Sequence, residues 1–267
     1  MWRATRTPEG PATLRLRAVV GSDTIRATAW GDGAAWALRQ APELIGCGDD
    51  DSGLAATRVR HPLVARLHRR LPGLRMPRTR MVADAMAASV IEQKVTGLEA
   101  HRSYRQLALR YGEAAPGPGG LWLPPDLGAL AGAPYYDLHR FGVERRRADT
   151  VRRVARHAHR LDATVDAPLD QAHIRMTAIA GVGPWTAAEV AQVALGDADA
   201  VSVGDYHLPH QVAYALAGER RATNARMLEL LEPFRGHRGR VARLIVAAGL
   251  GPPRRAPRAR LRSIARI

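Results

Sequence analysis

A glycine turn between two apolar segments is the part of this sequence best suited to bind a phosphate. The preceding segment is predicted to be an apolar helix that ends at Gly181-Val182-Gly183, and Pro184 suits the first turn of a following helix. Such a turn exposes successive backbone N–H groups, and glycine lets a phosphate oxygen approach them closely. We therefore predict a phosphate-binding helical hairpin, with a plain αα-hairpin that needs glycine only for positive φ as the alternative.

An aspartate that follows the hairpin is the candidate for electrostatic or acid–base chemistry. Asp205 lies 22 residues after Gly183, just ahead of an apolar helix. Aspartate is a preferred N-cap, and most such residues have no other role. A carboxylate at a helix N-terminus also stays ionised at neutral pH, which suits a group that stabilises a cation. Because Pro209 predicts that regular helix begins slightly later, we expect Asp205 to lie beyond the cap and to point into a cleft.

The elements that must position these residues are predicted to be mostly helical. Alternating apolar residues predict strands at Trp2–Thr7, Thr13–Val20 and from Ile25, with a helix after Gly33. From residue 61 onward the apolar spacing is helical. The predicted helices include Met81–Val95, Leu98–Tyr111, a basic helix around Val151, Asp170–Ala180, Trp185–Leu195, Leu208–Ala217 and Met227–Ala248.

These elements predict a mainly α protein with an N-terminal α+β subdomain. Residues 1–60 are expected to form a small antiparallel sheet plus a helix, and residues 61–250 an all-α core. Residues 251–267 hold six arginines and little apolar matter, so they are expected to form a basic, flexible tail.

The charge balance favours a polyanionic partner. Forty basic and 25 acidic residues give a formal net charge of +15, and nucleic acid is the leading partner because neutralised phosphates release counterions. Lys94 is the only lysine, so an arginine-biased coding composition also explains the basicity. The arginines of 145–156 either follow a phosphate backbone or form a solvated helix face.

Cysteine and hydropathy patterns exclude several classes. With Cys47 as the only cysteine, a disulfide framework, an iron–sulfur cluster and an all-cysteine zinc site are excluded. No apolar run approaches 18 residues and no signal-like segment is present, so neither a membrane span nor secretion is indicated. We expect a soluble protein of a reducing cytoplasm.

Several motifs together resemble the helix-hairpin-helix DNA glycosylases, and within them the bacterial 3-methyladenine DNA glycosylase II type. The likeness covers nearly the whole chain, and the spacing between hairpin and aspartate is its most specific part. The residues that carry it are Gly181-Val182-Gly183-Pro184-Trp185-Thr186-Ala187, Asp205-Tyr206, Glu92-Gln93-Lys94-Val95-Thr96, Phe141-Gly142-Val143, Gly73-Leu74-Arg75-Met76-Pro77-Arg78 and Pro233-Phe234-Arg235. The resemblance implies two helical subdomains that flank a DNA-binding cleft.

The resemblance implies a monofunctional N-glycosylase that initiates base excision repair. Such an enzyme flips an alkylated purine out of duplex DNA and hydrolyses its glycosidic bond. Asp205 would stabilise the oxocarbenium-like sugar and orient or deprotonate water. The implied partner is double-stranded DNA that contains alkylated bases, and the implied state is a monomer in the bacterial cytoplasm, associated with DNA.

The resemblance also assigns site residues. The base pocket would contain Trp185, Tyr206 and Arg243. Trp185 stands where backbone-cleaving relatives carry a Schiff-base lysine, so no lyase activity is expected, although ordinary core packing explains Trp185 equally well. Arg243 stands near a pocket tryptophan of the relatives and would disfavour a cationic base. The DNA-binding residues would be Gln93, Lys94, Val95, Thr96, Gly181, Val182, Gly183 and Thr186.

Lys94 occupies the position of the wedge that fills the gap left by a flipped base. Its long stem and charged head suit contact with a phosphate or a base edge, whereas an exposed loop lysine without such a role is the alternative. The resemblance implies no required cofactor and no zinc, but a structural Na⁺ or K⁺ held by the backbone carbonyls of Thr177, Ile179 and Val182.

Two other functional classes compete with this interpretation. One is a non-catalytic helix-hairpin-helix protein that recognises damage or bends DNA. The other is a bifunctional enzyme for oxidised bases, which the absence of a lysine at Trp185 disfavours.

Overall fold

Alternating apolar residues at the N-terminus form a three-stranded antiparallel sheet. The computed structural model describes residues 1–57 and 61–253, so most of the predicted tail lies outside the described residues. The strands are β1 (Trp2–Thr7), β2 (Gly10–Ala18) and β3 (Ile25–Trp30), in the order β1-β2-β3. The buried side of the central strand packs on the first helix, as the alternation predicts.

Helices follow the sheet, and most agree with the predicted helices to within a few residues. Their bounds are α1 (Ala34–Leu44), α2 (Ser52–Thr57), α3 (Pro62–Arg70), α4 (Val82–Glu92), α5 (Gly97–Tyr111), α6 (Leu127–Gly132), α7 (Tyr135–Arg140), α8 (Arg145–Arg156), α9 (Ala158–Asp162), α10 (Leu169–Thr177), α11 (Pro184–Val190), α12 (Leu208–Ala217), α13 (Asn224–Leu231) and α14 (Arg238–Ala247).

Two predicted helices differ from the structure. The helix expected over Met227–Ala248 is divided into α13 and α14, because Pro233 starts a 3₁₀ turn and Gly236 adopts a φ of +89°. The helix expected over Trp185–Leu195 begins as α11 and continues as a π-helical turn over its last five residues.

The apolar residues form three buried clusters. The first joins α4, α8 and α11, the second joins α3 with α12 to α14, and the third lies between the sheet and α1. Leu54, from the segment predicted to belong to the N-terminal subdomain, packs in the second cluster. The structure is therefore mainly α with a small N-terminal α+β part, as predicted. The chain crosses from the first cluster to the second between Ala200 and Val201.

A buried ion pair ties the N-terminal part to α14. The guanidinium of Arg240, 1% exposed, contacts Asp49 at 2.5 and 2.6 Å, and Asp49 also accepts from the Met76 N–H at 3.0 Å. Burial alone would raise the pKa of Asp49, but these donors hold that pKa below its ordinary value. The pair fixes the angle between elements that are distant in sequence.

The described residues contain neither a helix suited to span a membrane nor a cluster of side chains suited to bind a metal. No helix there is both long and apolar enough to span a membrane. In the same ranges, no group of three His, Cys, Asp or Glu side chains is placed to hold a metal ion.

Candidate active site

The glycine turn joins α10 to α11, and its two glycines have different reasons to be glycine. Gly181 has a φ of +96°, and a Cβ there would lie 2.1 Å from Oγ1 of Thr150 on α8. Gly183 has an extended conformation with a φ of −103°, and a Cβ there would meet no atom of the described residues within 4 Å. The fold thus requires glycine at 181 but not at 183, where the small residue leaves the start of α11 accessible.

Two arginines of the basic helix donate hydrogen bonds to backbone carbonyls, one at the glycine turn and one at the end of α4. Arg153 donates to the Ala180 carbonyl at 2.9 Å. Arg147 is buried and donates to the Ile91 carbonyl at 2.7 Å, at the end of α4. These two guanidinium groups therefore bind backbone carbonyls of the chain itself, a role that neither sequence-based alternative included.

The loop after α4 is tied directly to the hairpin. Nε2 of Gln93 donates to Oγ1 of Thr186 at 2.8 Å and to the Gly181 carbonyl at 3.1 Å. Lys94 follows with a φ of +56°, which few non-glycine residues adopt, and its side chain is exposed. Backbone strain of this kind concentrates at functional loops, so the conformation supports a role for Lys94 at the tip.

Other predicted DNA-binding residues face inward. Thr186 and Val182 are 1% and 6% exposed, so only their backbones are available to a ligand. Val95 packs on the first cluster. Thr96 is the N-cap of α5, where its hydroxyl accepts from the Glu99 N–H at 3.3 Å within a capping box.

The carboxylate of Asp205 uses its two oxygens differently. Oδ1 accepts from the N–H groups of His207 and Leu208 at 2.7 and 2.8 Å, which caps the start of α12. Oδ2 accepts from Nε1 of Trp185 at 3.3 Å, across from the hairpin. Asp205 therefore precedes the N-cap residue His207, and one half-buried side chain contacts both the start of α12 and the helix after the glycine turn.

A second carboxylate, which was not predicted, lies beside this pair. Glu189 follows Trp185 by four residues on α11 and accepts a hydrogen bond from the Ser202 hydroxyl. Gln192 donates to the Ala200 carbonyl at 3.0 Å and holds this segment against α11. Burial raises the pKa of Glu189, while the Ser202 hydrogen bond opposes the increase. The helical spacing from Trp185 was the available sequence signal.

Of the other two predicted pocket residues, Arg243 is half-buried and Tyr206 is exposed. Arg243 on α14 is half-buried, and burial lowers its pKa while the charge of Glu189 raises it. Tyr206 is 81% exposed, and its ring lies edge-on to His207 at 4.9 Å. Arg243 therefore shares an electrostatic environment with Glu189, whereas Tyr206 is not enclosed by the described chain.

The three carbonyls predicted to hold a monovalent cation lie in the turn between α10 and α11. That of Ile179 accepts from the Val182 N–H at 2.9 Å. The carbonyls of Thr177 and Val182 accept no hydrogen bond from the described residues. Carbonyl oxygens that accept no hydrogen bond are suitable ligands for a hard cation such as Na⁺ or K⁺.

Solved structures show that this chain has the fold of the helix-hairpin-helix DNA glycosylases. A 3-methyladenine DNA glycosylase from Archaeoglobus fulgidus is similar with a TM-score of 0.75 at 18% identity, over 92% of this chain and 85% of the other. An 8-oxoguanine glycosylase/lyase from Clostridium acetobutylicum, in complex with double-stranded DNA, is similar with a TM-score of 0.69 at 12% identity, over 93% and 87%.

A third solved structure, the Schizosaccharomyces pombe 3-methyladenine DNA glycosylase in complex with abasic DNA, matches with a TM-score of 0.57 at 16% identity, over 68% of this chain and 88% of the other. No protein-family model matches the sequence, and no curated protein matches it significantly. At these identities the similarity establishes the fold.

Proposed function

We propose that this protein is a monofunctional DNA glycosylase that flips damaged purines from duplex DNA and hydrolyses their N-glycosidic bonds. The observation that carries the proposal is the position of Asp205, which faces Trp185 of the hairpin while it caps α12. Solved structures of the same fold are glycosylases, and two of them hold DNA. The +15 net charge supports a nucleic-acid partner.

The chemistry assigned to Asp205 is electrostatic. As the base leaves, the sugar gains oxocarbenium character, and a fixed carboxylate stabilises that charge. Two backbone N–H groups and one indole N–H hold the Asp205 carboxylate, so it needs little reorganisation during the reaction. The same carboxylate orients or deprotonates the water that attacks C1′.

DNA binding is assigned to the hairpin and to the loop after α4. The N–H groups of the first turn of α11 after Pro184 suit a phosphate, and the open space at Gly183 leaves room for it. The exposed Lys94 would enter the space left by the flipped nucleotide, with Gln93 as its anchor. A monovalent cation at the Thr177, Ile179 and Val182 carbonyls would add positive charge beside the phosphate.

We assign alkylated purines as substrates and no lyase step. A base alkylated at N3 or N7 is cationic and leaves readily, so one carboxylate suffices for it. Trp185 supplies no amine for a Schiff base. A cytoplasmic, DNA-associated monomer in a bacterium is the setting that this activity implies.

The decisive experiment compares the wild-type protein with the Asp205→Asn variant on methylated duplex DNA, with release of free bases as the readout. Loss of excision, with retained binding to a duplex that holds an abasic-site analogue, supports the proposal. Undiminished excision by Asp205→Asn would refute the mechanism. Asp23→Asn, an exposed change in the β2–β3 turn, is the charge-matched control.

The same samples separate the competing classes. A non-catalytic binding protein would hold the abasic analogue and release no base from any substrate. A glycosylase/lyase, the class of one structural neighbour, would be trapped covalently on DNA by borohydride. Because Lys94 is the only lysine, loss of trapping in Lys94→Arg would identify the nucleophile.

A further inference from the structure

Glu189 and Asp205 lie on two antiparallel segments that face each other. Trp185 and Glu189 are one helical turn apart on α11, and Ser202 and Asp205 are three residues apart on the segment that leads to α12. The contacts pair Trp185 with Asp205 and Glu189 with Ser202. A helical turn rises about 5.4 Å, so Asp205 and Ser202 contact α11 at two successive turns of the same helix.

This position is the junction of the two helical clusters. Ala191 and Val190, next to Glu189 on the chain, pack in the first cluster, whereas Val201 and Val203, next to Ser202, pack on the second. Charged groups face Glu189 from every side of the junction: Glu92 at the end of α4, Asp205 before α12 and Arg243 on α14. A strongly basic chain thus places three carboxyl groups and one guanidinium together beside its hairpin.

The carboxyl of Glu189 keeps one oxygen available. Oε1 accepts from the Ser202 hydroxyl, whereas Oε2 makes no hydrogen bond within the described part of the chain. Oε2 is not among the buried atoms that lack a partner, so it is open to solvent and to a ligand. Asp205, the carboxylate assigned to the sugar, is close enough for its charge to act on Glu189.

We propose that Glu189 is a second catalytic carboxyl, which donates a proton to the leaving base and extends the reaction from cationic alkylpurines to neutral purines. The inference rests on the glycosylase function proposed above. Paired carboxyl groups with one acid and one charge-stabilising carboxylate are the general solution to glycoside hydrolysis. A neutral purine is a poor leaving group as an anion, so it needs the proton that a cationic alkylpurine does not.

The step balances in protons and electrons. The C1′–N9 bond breaks with its electron pair moving into the purine, and the protonated Glu189 transfers its proton to a ring nitrogen of that base. Water then bonds to C1′, and Asp205 accepts the proton that this water loses. Solvent returns one proton from Asp205 to Glu189, so the net reaction consumes one water and releases the free base.

The electrostatics agree with this division of roles. Burial raises the pKa of Glu189, and the negative charges of Glu92 and Asp205 raise it further, against the Ser202 hydrogen bond and Arg243. A carboxyl with such a raised pKa retains a protonated fraction at higher pH than an ordinary glutamate does. Two neighbouring carboxyl groups with different environments are suited to acid and base roles.

The test measures single-turnover excision of a cationic base, 7-methylguanine, and a neutral base, 1,N⁶-ethenoadenine, by the wild type and by Glu189→Gln. Glutamine still accepts the Ser202 hydrogen bond but cannot donate the proton. We expect excision of the neutral base to fall about 10²- to 10⁴-fold, the usual range for a lost general acid, with excision of 7-methylguanine within about threefold. Glu229→Gln, an exposed change on α13, is the matched control.

The pH profile adds a second readout. For the neutral base, wild-type excision should decrease as pH rises through the pKa of Glu189, and this decrease should be absent in Glu189→Gln. Ser202→Ala removes the hydrogen bond that lowers this pKa, so the decrease should move to higher pH. An unshifted profile in Ser202→Ala would contradict the role of Ser202 as a positioning residue.

Three results would overturn the inference. Equal losses on both bases would give Glu189 a structural role only, and an unchanged rate on the neutral base would give it none. Wild-type excision of 7-methylguanine without any excision of the neutral base would remove the extended substrate range. If the wild type excised neither base, the proposed glycosylase function itself would fail, which distinguishes the two failures.

Discussion

Nε1 of Trp185 lies 3.3 Å from Oδ2 of Asp205, and this contact joins the glycine hairpin to the start of α12. The two residues belong to neighbouring elements that pack in different apolar clusters. Because the other oxygen of Asp205 is held by the α12 N–H groups, the indole N–H fixes the remaining rotation of the carboxylate. Trp185 is therefore the residue that orients the Asp205 carboxylate relative to the hairpin.

Replacing Trp185 by Phe should weaken catalysis more than binding. The change removes the N–H donor and keeps an aromatic ring, so Asp205 loses one hydrogen bond worth about 1 kcal/mol. We expect the single-turnover excision rate to fall about fivefold to tenfold, while affinity for an abasic-site duplex stays within about twofold. Trp122→Phe, at an exposed tryptophan, is the control. An unchanged rate would show that the indole does not position the carboxylate.

The two hairpin glycines should respond oppositely to alanine. Gly181→Ala places a Cβ 2.1 Å from Thr150 at positive φ, so we expect a loss of about 2–4 kcal/mol in the free energy of unfolding. Gly183→Ala meets no described atom, so its stability should be unchanged within about 0.5 kcal/mol while DNA affinity falls. Urea denaturation and fluorescence-anisotropy titration measure the two effects. Wild-type DNA affinity in Gly183→Ala would argue for the plain αα-hairpin.

Lys94→Gly should separate stability from binding at the loop tip. Left-handed backbone is unfavourable for lysine by about 1–2 kcal/mol, so glycine relieves strain, offset in part by its greater freedom in the unfolded chain. We expect an unchanged or higher Tm together with about tenfold weaker binding to an abasic-site duplex, because the stem and its charge are lost.

Lys94→Leu serves as the companion variant, because leucine fills space without charge. Retained affinity in Lys94→Leu would assign the role of Lys94 to filling the gap, and loss in both variants would assign it to the ammonium group. Equal affinity in all three proteins would leave an exposed lysine without a role in DNA binding.

Asp84 should make stability depend on pH near neutrality. This carboxyl lies on α4, and burial together with the charge of Asp162 raises its pKa to about 7, against the opposing charge of Arg3. The unfolded chain ionises Asp84 near its ordinary value of 3.8, so folded stability should decrease as pH rises from about 4 to about 7.

The Asp84→Asn variant mimics the protonated form and should lack this decrease. Its Tm should therefore exceed the wild-type Tm by a margin that widens from pH 5 to pH 7 and is constant above. Differential scanning fluorimetry at four pH values measures the margin, with Asp23→Asn as the control. A margin that does not change with pH would contradict the expected titration.

Local patterns were sufficient for the elements and for part of the candidate site. The helices, the glycine turn and the aspartate depend on apolar periodicity, on glycine and proline, and on capping preferences, all of which act within a few residues. The single break that was missed, at Pro233 and Gly236, lies inside a continuous helical pattern. The prediction gave more weight to the flanking apolar residues than to the turn-forming Pro233 and Gly236, and the structure shows that the turn forms.

Residues that look alike in sequence acquired different roles through packing. Arg147 and Arg145 share one helix, yet Arg147 is buried against the end of α4 while Arg145 is exposed and lies over the Tyr135 ring at 5.4 Å. The pairing of Asp49 with Arg240 joins residues 191 positions apart. No periodicity extends over such a distance, so neither contact could be derived from the sequence.

Taken alone, the amino-acid order was enough to predict a mainly helical chain, a glycine hairpin without a lysine and an aspartate in register after it. It did not reveal that Glu189 and Asp205 face the same junction, because they belong to elements whose approach depends on how two apolar clusters pack. Side chains on one helix are related by a fixed geometric period, whereas side chains on different elements are related only through the buried surfaces between them. The second carboxyl beside Asp205 is therefore a property of the folded protein.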